Sequence, residues 1–271
     1  MTISPAPAVA CSRMYNLSPK ISGLWDRFFH WLADRSDVEL EVIAHAAPAP
    51  LSELWARPDM GAVFMCGFPF SRLAKAERPL PLAAPVSLAD WAHGQPLYAS
   101  HIVAARDRPL ADADLATARW GWTVRDSQSG YNAPREFFAA LAGGRAATET
   151  FGPLLNPRGV VEAIRSGAVD VGAIDAYAYQ LLEMHEPEMI ASLRVIATTK
   201  PAPFPLLIAS RQQSPEIVAA LRTTLLGAHQ DPEGRDILAS LGLAAFAEPD
   251  IAAYERLPAR ARAVDEALGT W

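Results

Sequence analysis

The stretch Asp126-Ser127-Gln128-Ser129-Gly130-Tyr131-Asn132-Ala133-Pro134 decides how the rest of the chain reads. Small hydroxyl residues and a glycine run directly into an amphipathic segment, Arg135-Glu136-Phe137-Phe138 to Ala142. Proline has no N–H and its ring clashes with the carbonyl four residues back, so Pro134 belongs in the first turn of a helix. The helix therefore starts between Gly130 and Ala133. Ser127, Ser129 and Gly130 then lie at a turn whose amide hydrogens have no helical partner. Such amides, at the positive end of a helix dipole, form a ready anion site. Plain N-capping by Ser127 or Ser129 is the simpler account of a serine here, and further features are needed to go beyond it.

Outward from this turn, the pattern alternates. Ala8 to Met14 reads as a strand, Ile21 to Ala33 as an amphipathic helix, and Val38 to Ala44 as a second strand. A helix containing Leu51, Leu54 and Trp55 precedes a short strand, Ala62 to Met65. Tyr98 to Ala105 and Gly121 to Val124 read as strands, and Arg158 to Ser166 as a helix closed by Gly167. Val169 to Ile174 is a buried strand ending at Asp175. Leu193 to Thr198 and Leu206 to Ala209 are the last strands, before helices finish the chain. The Pro-rich stretches 78–85 and 201–205 read as surface or hinge connections. Strands alternating with helices imply an α/β protein with sheets covered on both faces. Ligands bind such sheets beyond the carboxyl ends of strands, where Asp175 and the Ser127–Gly130 turn both fall.

The 271 residues are half hydrophobic and a fifth charged, the profile of a globular protein of one large domain or two lobes. Net charge is −6 without a dense Lys/Arg cluster, which argues against a nucleic-acid partner. No segment reaches the ~20 apolar residues of a membrane span, so no membrane insertion is expected. Met1 to Ala10 has no charged start and no apolar run of signal length. The chain as written reads as cytoplasmic, or as periplasmic if a leader is missing. Cys11 and Cys66 are expected as buried free thiols. The six histidines show no paired spacing, and neither a metal nor a nucleotide cofactor is expected.

Several residues could carry recognition. Asp175 either contacts a ligand or caps the helix after it. Cys66-Gly67-Phe68-Pro69-Phe70 follows a short strand, where Phe68 could wall a pocket, although a turn packed into core explains it as well. Tyr15 and Tyr98 sit at strand ends and offer a flat apolar wall with one hydroxyl. Asn156-Pro157 reads as an N-cap followed by proline at the first helical position. Ser127 or Ser129 with His101 and Asp175 supplies the residue types of a hydrolytic triad. The Gly-x-Ser-x-Gly context is absent, so no catalytic residue is assigned.

The serine motif, the Gly-Ala-Val-Asp-Val-Gly-Ala-Ile-Asp run at 167–175 and the order of elements together resemble one family. It is the phosphate/phosphite/phosphonate solute-binding proteins of ABC transporters, the PhnD-like group. Tyr98-Ala99-Ser100-His101-Ile102-Val103 is similar to the family's strand that crosses into the second lobe. The resemblance implies a two-lobed type 2 periplasmic-binding fold with a ligand cleft between lobes. The first lobe would hold 1–103 and 204–271, and the second 104–203. It further implies that Ser127, Gln128, Ser129, Gly130 and Tyr131 cradle a small oxyanion. Asp175 and Asn156 would stand beside that ligand, and Tyr15, Phe68 and Tyr98 would close over it. An ABC permease is the implied protein partner. One departure is Pro157, which stands where family members often carry a histidine donor. Two other readings remain on the same fold: an enzyme such as a lyase or decarboxylase acting on a small carboxylate through Asp175 and His101, or a cytoplasmic ligand sensor.

Overall fold

A computed structural model describes residues 6–108, 110, 112–143 and 147–271; Met1 to Pro5, the start of the N-terminal segment, lie outside the described residues. In chain order the strands are β1 (Ala8–Cys11), β2 (Leu40–Val42), β3 (Met60–Met65), β4 (Leu80–Ser87), β5 (Leu97–Tyr98), β6 (Ser100–Ala105), β7 (Arg119–Gly121), β8 (Glu149–Phe151), β9 (Val171–Asp175), β10 (Leu193–Thr198), β11 (Ala202–Pro203), β12 (Leu206–Ala209) and β13 (Leu243–Ala247). The α-helices are α1 (Pro19–Ser36), α2 (Leu51–Trp55), α3 (Gly67–Arg72), α4 (Ala133–Ala142), α5 (Pro157–Ser166), α6 (Ala176–His185), α7 (Pro187–Ile190), α8 (Pro215–Gly227), α9 (Pro232–Ser240), α10 (Ile251–Glu255) and α11 (Leu257–Leu268).

Two compact units share the chain. One takes residues 1–66, 73–96 and 204–250, and the other takes 67–72, 97–203 and 251–271. This differs from the expected division in three places. The break falls before Leu97 rather than after Val103, and both 67–72 and 251–271 pack with the second unit. The reason for the last difference is apolar burial: Val264, Leu268 and Trp271 complete that unit's core.

The first unit is built on a six-stranded sheet of order β13-β4-β12-β3-β1-β2. β1 pairs in parallel with β2 and β3, while β12 runs antiparallel to β3 and β4. Helix α1 begins where Ser18 accepts a hydrogen bond from the Ile21 amide at 3.2 Å, with Pro19 at its first position. Its stripe of Trp25, Phe28, Phe29 and Leu32 is fully buried. Cys11 and Cys66 are buried free thiols, as expected, and burial raises the Cys11 pKa.

The expectation of a surface connection at 78–85 is corrected here. Residues 80–87 form a strand between β13 and β12, buried from Leu82 onward. Proline is tolerated in sheets at irregularities, and the pairing of β4 with β12 shifts register beside Pro81; its pairing with β13 shifts at Val86 and Ser87. β13 also corrects the reading of the C-terminal region as helical alone. At 201–205, β11 forms a short antiparallel pair with β5.

The second unit carries a five-stranded sheet of order β10-β6-β9-β7-β8. β7 is parallel to both β8 and β9, whereas β6 is antiparallel to β9 and β10. Ile102, Trp120, Phe138, Val171, Ala173, Val264, Leu268 and Trp271 belong to one buried cluster. Arg119 ties β7 to β9: its backbone N–H and Nε donate to Asp170 Oδ2 at 3.0 Å, and Nη2 donates to Oδ1 at 2.7 Å. The guanidinium holds the Asp170 carboxyl below its ordinary range. A depressed carboxylate pKa stabilises the native state above the unfolded pKa, and that contribution is lost as pH falls through the folded value. Both side chains are about a third exposed, so water screens the pair. Asp170→Asn should therefore lower stability by about 0.5–1 kcal/mol in urea unfolding at neutral pH. The difference from wild type should vanish in acid.

Candidate functional site

The parallel strands β7, β8 and β9 point their carboxyl ends the same way, and each hands the chain to a helix N-terminus. β7 leads through Trp122–Asp126 into one π-helical turn, Gln128–Asn132, which continues as α4. β8 leads through 152–156 into α5, and β9 leads directly into α6. Three helix starts, capped by Ser127, Asn156 and Asp175, thus stand at one edge of one sheet. Each start carries the positive end of its peptide dipoles.

Each cap uses only part of its turn's donors. Ser127 Oγ accepts from the Gly130 amide at 2.9 Å, and Asn156 Oδ1 accepts from the Gly159 amide at 3.0 Å. Asp175 Oδ1 accepts from the amides of Tyr177 and Ala178, at 2.9 and 3.0 Å. The capping reading of these three residues is therefore correct as far as it goes. In the π-helical turn, the amide hydrogens of Gln128 and Ser129 and the Ser129 hydroxyl have no hydrogen-bond partner among the described residues. Ser129 is half-buried and Gln128 buried.

Glycine is needed at 130 for a close approach. A Cβ there would collide with Thr123 Oγ1 and would sit 2.8 Å from Thr123 Cγ2. Thr123 in turn donates its backbone N–H to the Gly130 carbonyl at 3.1 Å, and its own carbonyl accepts from the Leu155 amide at 3.2 Å. Asn132 Nδ2 donates to the Ser127 carbonyl at 3.1 Å. Sequence reasoning missed Thr123 and Asn132. Their only local signal is that each is a small polar residue flanking the serine motif.

The remaining candidates divide. Phe68 in α3 is buried in the second unit, with the Arg72 guanidinium 5.6 Å over its ring. Arg72 also pairs with Asp126 at 3.0 Å, which places a cation beside the residue preceding Ser127. Tyr98, on β5, is buried in the same unit. Tyr131 is in the turn, but its side chain looks inward: its hydroxyl accepts from the Trp271 amide at 3.2 Å and its ring meets Trp122 edge-on at 5.4 Å. Tyr15 belongs to the first unit, where its ring packs among Trp25, Phe64 and Phe204 and is 1% exposed. Pro157 takes the first position of α5 and brings no donor.

The triad residues are not brought together. Asp175 is opposite Ser100 in the β6–β9 register, and His101 is opposite Ile174. Side chains alternate along a strand, so His101 and Asp175 lie on opposite faces of the sheet. The His101 ring bonds Thr198 Oγ1 at 2.9 Å and meets Tyr179 at 5.3 Å, and burial lowers its pKa, so it supplies no cation at neutral pH. No cluster of metal ligands occurs among the described residues. A cavity of about 120 Å³ between Ala133–Ala140 and Thr198–Lys200 contains none of the predicted site residues.

A family described as "ABC transporter, phosphonate, periplasmic substrate-binding protein" matches residues 15–254, nearly the whole chain. The chain belongs to that family. Among solved structures, the binding-protein component of an ABC phosphonate transporter from Pseudomonas aeruginosa is 18% identical, with TM-score 0.77 over 96% of this chain and 88% of that one. PhnD1 from Prochlorococcus marinus, in complex with methylphosphonate, is 16% identical with TM-score 0.71 over 96% and 98%. An R. palustris protein with adipate is 12% identical with TM-score 0.67 over 99% of each chain. Comparison with curated protein sequences gave no match. The architecture is the type 2 periplasmic-binding fold, and membership of the phosphonate-binding family places the chain with solute-binding proteins for small anions.

Proposed function

We propose that this phosphonate-family protein binds, without catalysis, a small tetrahedral oxyanion of the phosphonate, phosphite or phosphate class. In this reading it is the substrate-binding component of an ABC transporter and hands its ligand to a permease. The observation that carries the reading is the row of three helix N-termini beyond β7, β8 and β9, with donors of Gln128 and Ser129 left over after capping. Neutral amides and hydroxyls would do most of the recognition, because the arginines beside the turn are already engaged: Arg72 with Asp126, Arg125 with the Trp271 carbonyl and Arg135 with Asp265. Oriented N–H dipoles suit an anion that must be released again, since they attract it without a buried permanent charge.

A thermal-shift screen across methylphosphonate, phosphite, phosphate, sulfate and dicarboxylates tests the ligand class, with adipate included because one structural relative holds it. Ligand at about 100 times its Kd adds about 2.7 kcal/mol of stability, well within reach of such a screen. A response to dicarboxylates alone would remove the phosphonate-class reading. Ser129→Ala should weaken oxyanion binding about tenfold in calorimetry and leave the unfolding midpoint unchanged, because no described residue depends on its hydroxyl. Unchanged affinity would count against the turn as the binding site.

A further inference from the structure

We propose that Ser100 is a ligand-contacting, specificity-determining residue whose hydroxyl completes the oxyanion site together with Asp175. The proposal deepens the oxyanion reading above and rests on it. Ser100 opens β6 and is paired with Asp175 at the end of β9. The pair is of the close kind. The Ala176 amide donates to the Ala99 carbonyl at 2.9 Å, so the backbone exchange between the strands is one residue further out. Ser100 turns its own N–H and C=O away, to Thr199 Oγ1 at 3.0 Å and the Thr199 amide at 2.9 Å. Directly opposed residues that exchange no backbone bonds bring their side chains nearest.

Both side chains lie on the face that carries the turn. Ile102, two residues from Ser100, and Ala173 and Val171, in step with Asp175, all belong to the buried cluster that includes Trp122, just before the serine motif, and Tyr131, within it. Ser100 is 1% exposed, and its Oγ has no hydrogen-bond partner among the described residues. A buried hydroxyl without a partner destabilises the protein, and alanine would fill the same place without that penalty. A polar group held there at a cost, beside a helix N-terminus and a carboxylate, is accounted for by a ligand that uses it.

The pair also restricts the ligand. Asp175 can only accept where it is ionised, so an oxyanion set against it must present a donor, such as a P–OH group. The Ser100 hydroxyl donates to an ionised oxygen of the same ligand. A monoprotonated phosphonate-type anion satisfies both groups, whereas sulfate at neutral pH offers no donor and meets the carboxylate with like charge.

The test is calorimetric titration of wild type, Ser100→Ala and Ser100→Cys with methylphosphonate and with sulfate, alongside unfolding midpoints without ligand. The expected result has opposite signs: Ser100→Ala keeps or raises the ligand-free midpoint, yet loses about tenfold or more in methylphosphonate affinity. Ser100→Cys, a weaker donor of similar shape, should fall between. Sulfate should bind wild type far more weakly than methylphosphonate. Equal affinity in wild type and Ser100→Ala would overturn the proposal and leave the oxyanion reading standing. So would a midpoint that falls together with affinity, the mark of a purely structural serine. Wild type that binds no oxyanion would remove the oxyanion reading itself and this proposal with it.

Discussion

Gly130→Ala is expected to abolish oxyanion binding and to destabilise the protein by about 1–3 kcal/mol, the range for forcing extra atoms into a packed site. The new methyl would meet the Thr123 side chain, whose Cβ, Cγ2 and Oγ1 all lie too close. Thr123 cannot simply retreat, because its backbone is bonded to Gly130 on one side and to Leu155 on the other. The collision would push the turn outward and misdirect the amides of Gln128 and Ser129 together. Urea unfolding measures the first effect and calorimetry the second. Combining Gly130→Ala with Thr123→Gly, which removes the atoms in collision, should recover most of the stability. A single variant that binds normally would show that the close approach of 123 and 130 does not shape the site.

The largest loss of stability is expected at Arg135. Its side chain is 1% exposed; Nη1 pairs with Asp265 at 2.7 Å, Nη2 donates to the Gly269 carbonyl, and the guanidinium lies 4.8 Å from the centre of the Tyr131 ring. Removing one partner of a buried pair ordinarily costs about 3–5 kcal/mol because a charge is stranded. Asp265 is nearly half exposed and water can take over its solvation, so Arg135→Ala should cost about 3 kcal/mol. Arg135→Met, which keeps most of the packed length of the side chain, should recover part of it. The order wild type, then Met, then Ala in denaturant midpoint would separate packing from charge. No difference between Met and Ala would assign the whole effect to the ion pair.

What the sequence disclosed follows from the range of the interactions involved. Ser127, Asn156 and Asp175 were legible because a cap is written within three or four residues: a short polar side chain, a helix former and often a proline. β9 was legible as an apolar run ending in a carboxylate. Pro81 and Pro85 hid β4, since the strands that pair with it, β12 and β13, are far away in the chain. The run Leu243-Ala-Ala-Phe-Ala lacks β-branched residues and reads as helix until β4 pairs with it. The inward turn of Tyr131 depends on a partner 140 residues later, and no local pattern reveals it. Ser100 carried a faint signal, a lone polar residue on the apolar alternation of Tyr98 and Ile102. Its significance needed the register that sets it against Asp175.

The interlocking of Trp271 with the second unit has a consequence for biosynthesis. Its indole meets Tyr131 and Phe138 edge-on and Trp120 at a tilt, and its carbonyl accepts from Arg125 at 2.7 Å. A nascent polypeptide that has emerged from the ribosome only as far as residue 203 has all of that sheet but not the wedge that fills it. Completion of that core therefore waits for translation to reach residue 271, and a free-standing 97–203 fragment would keep ten of the cluster's thirteen buried residues but expose the apolar surface that Val264, Leu268 and Trp271 cover, making it aggregation-prone.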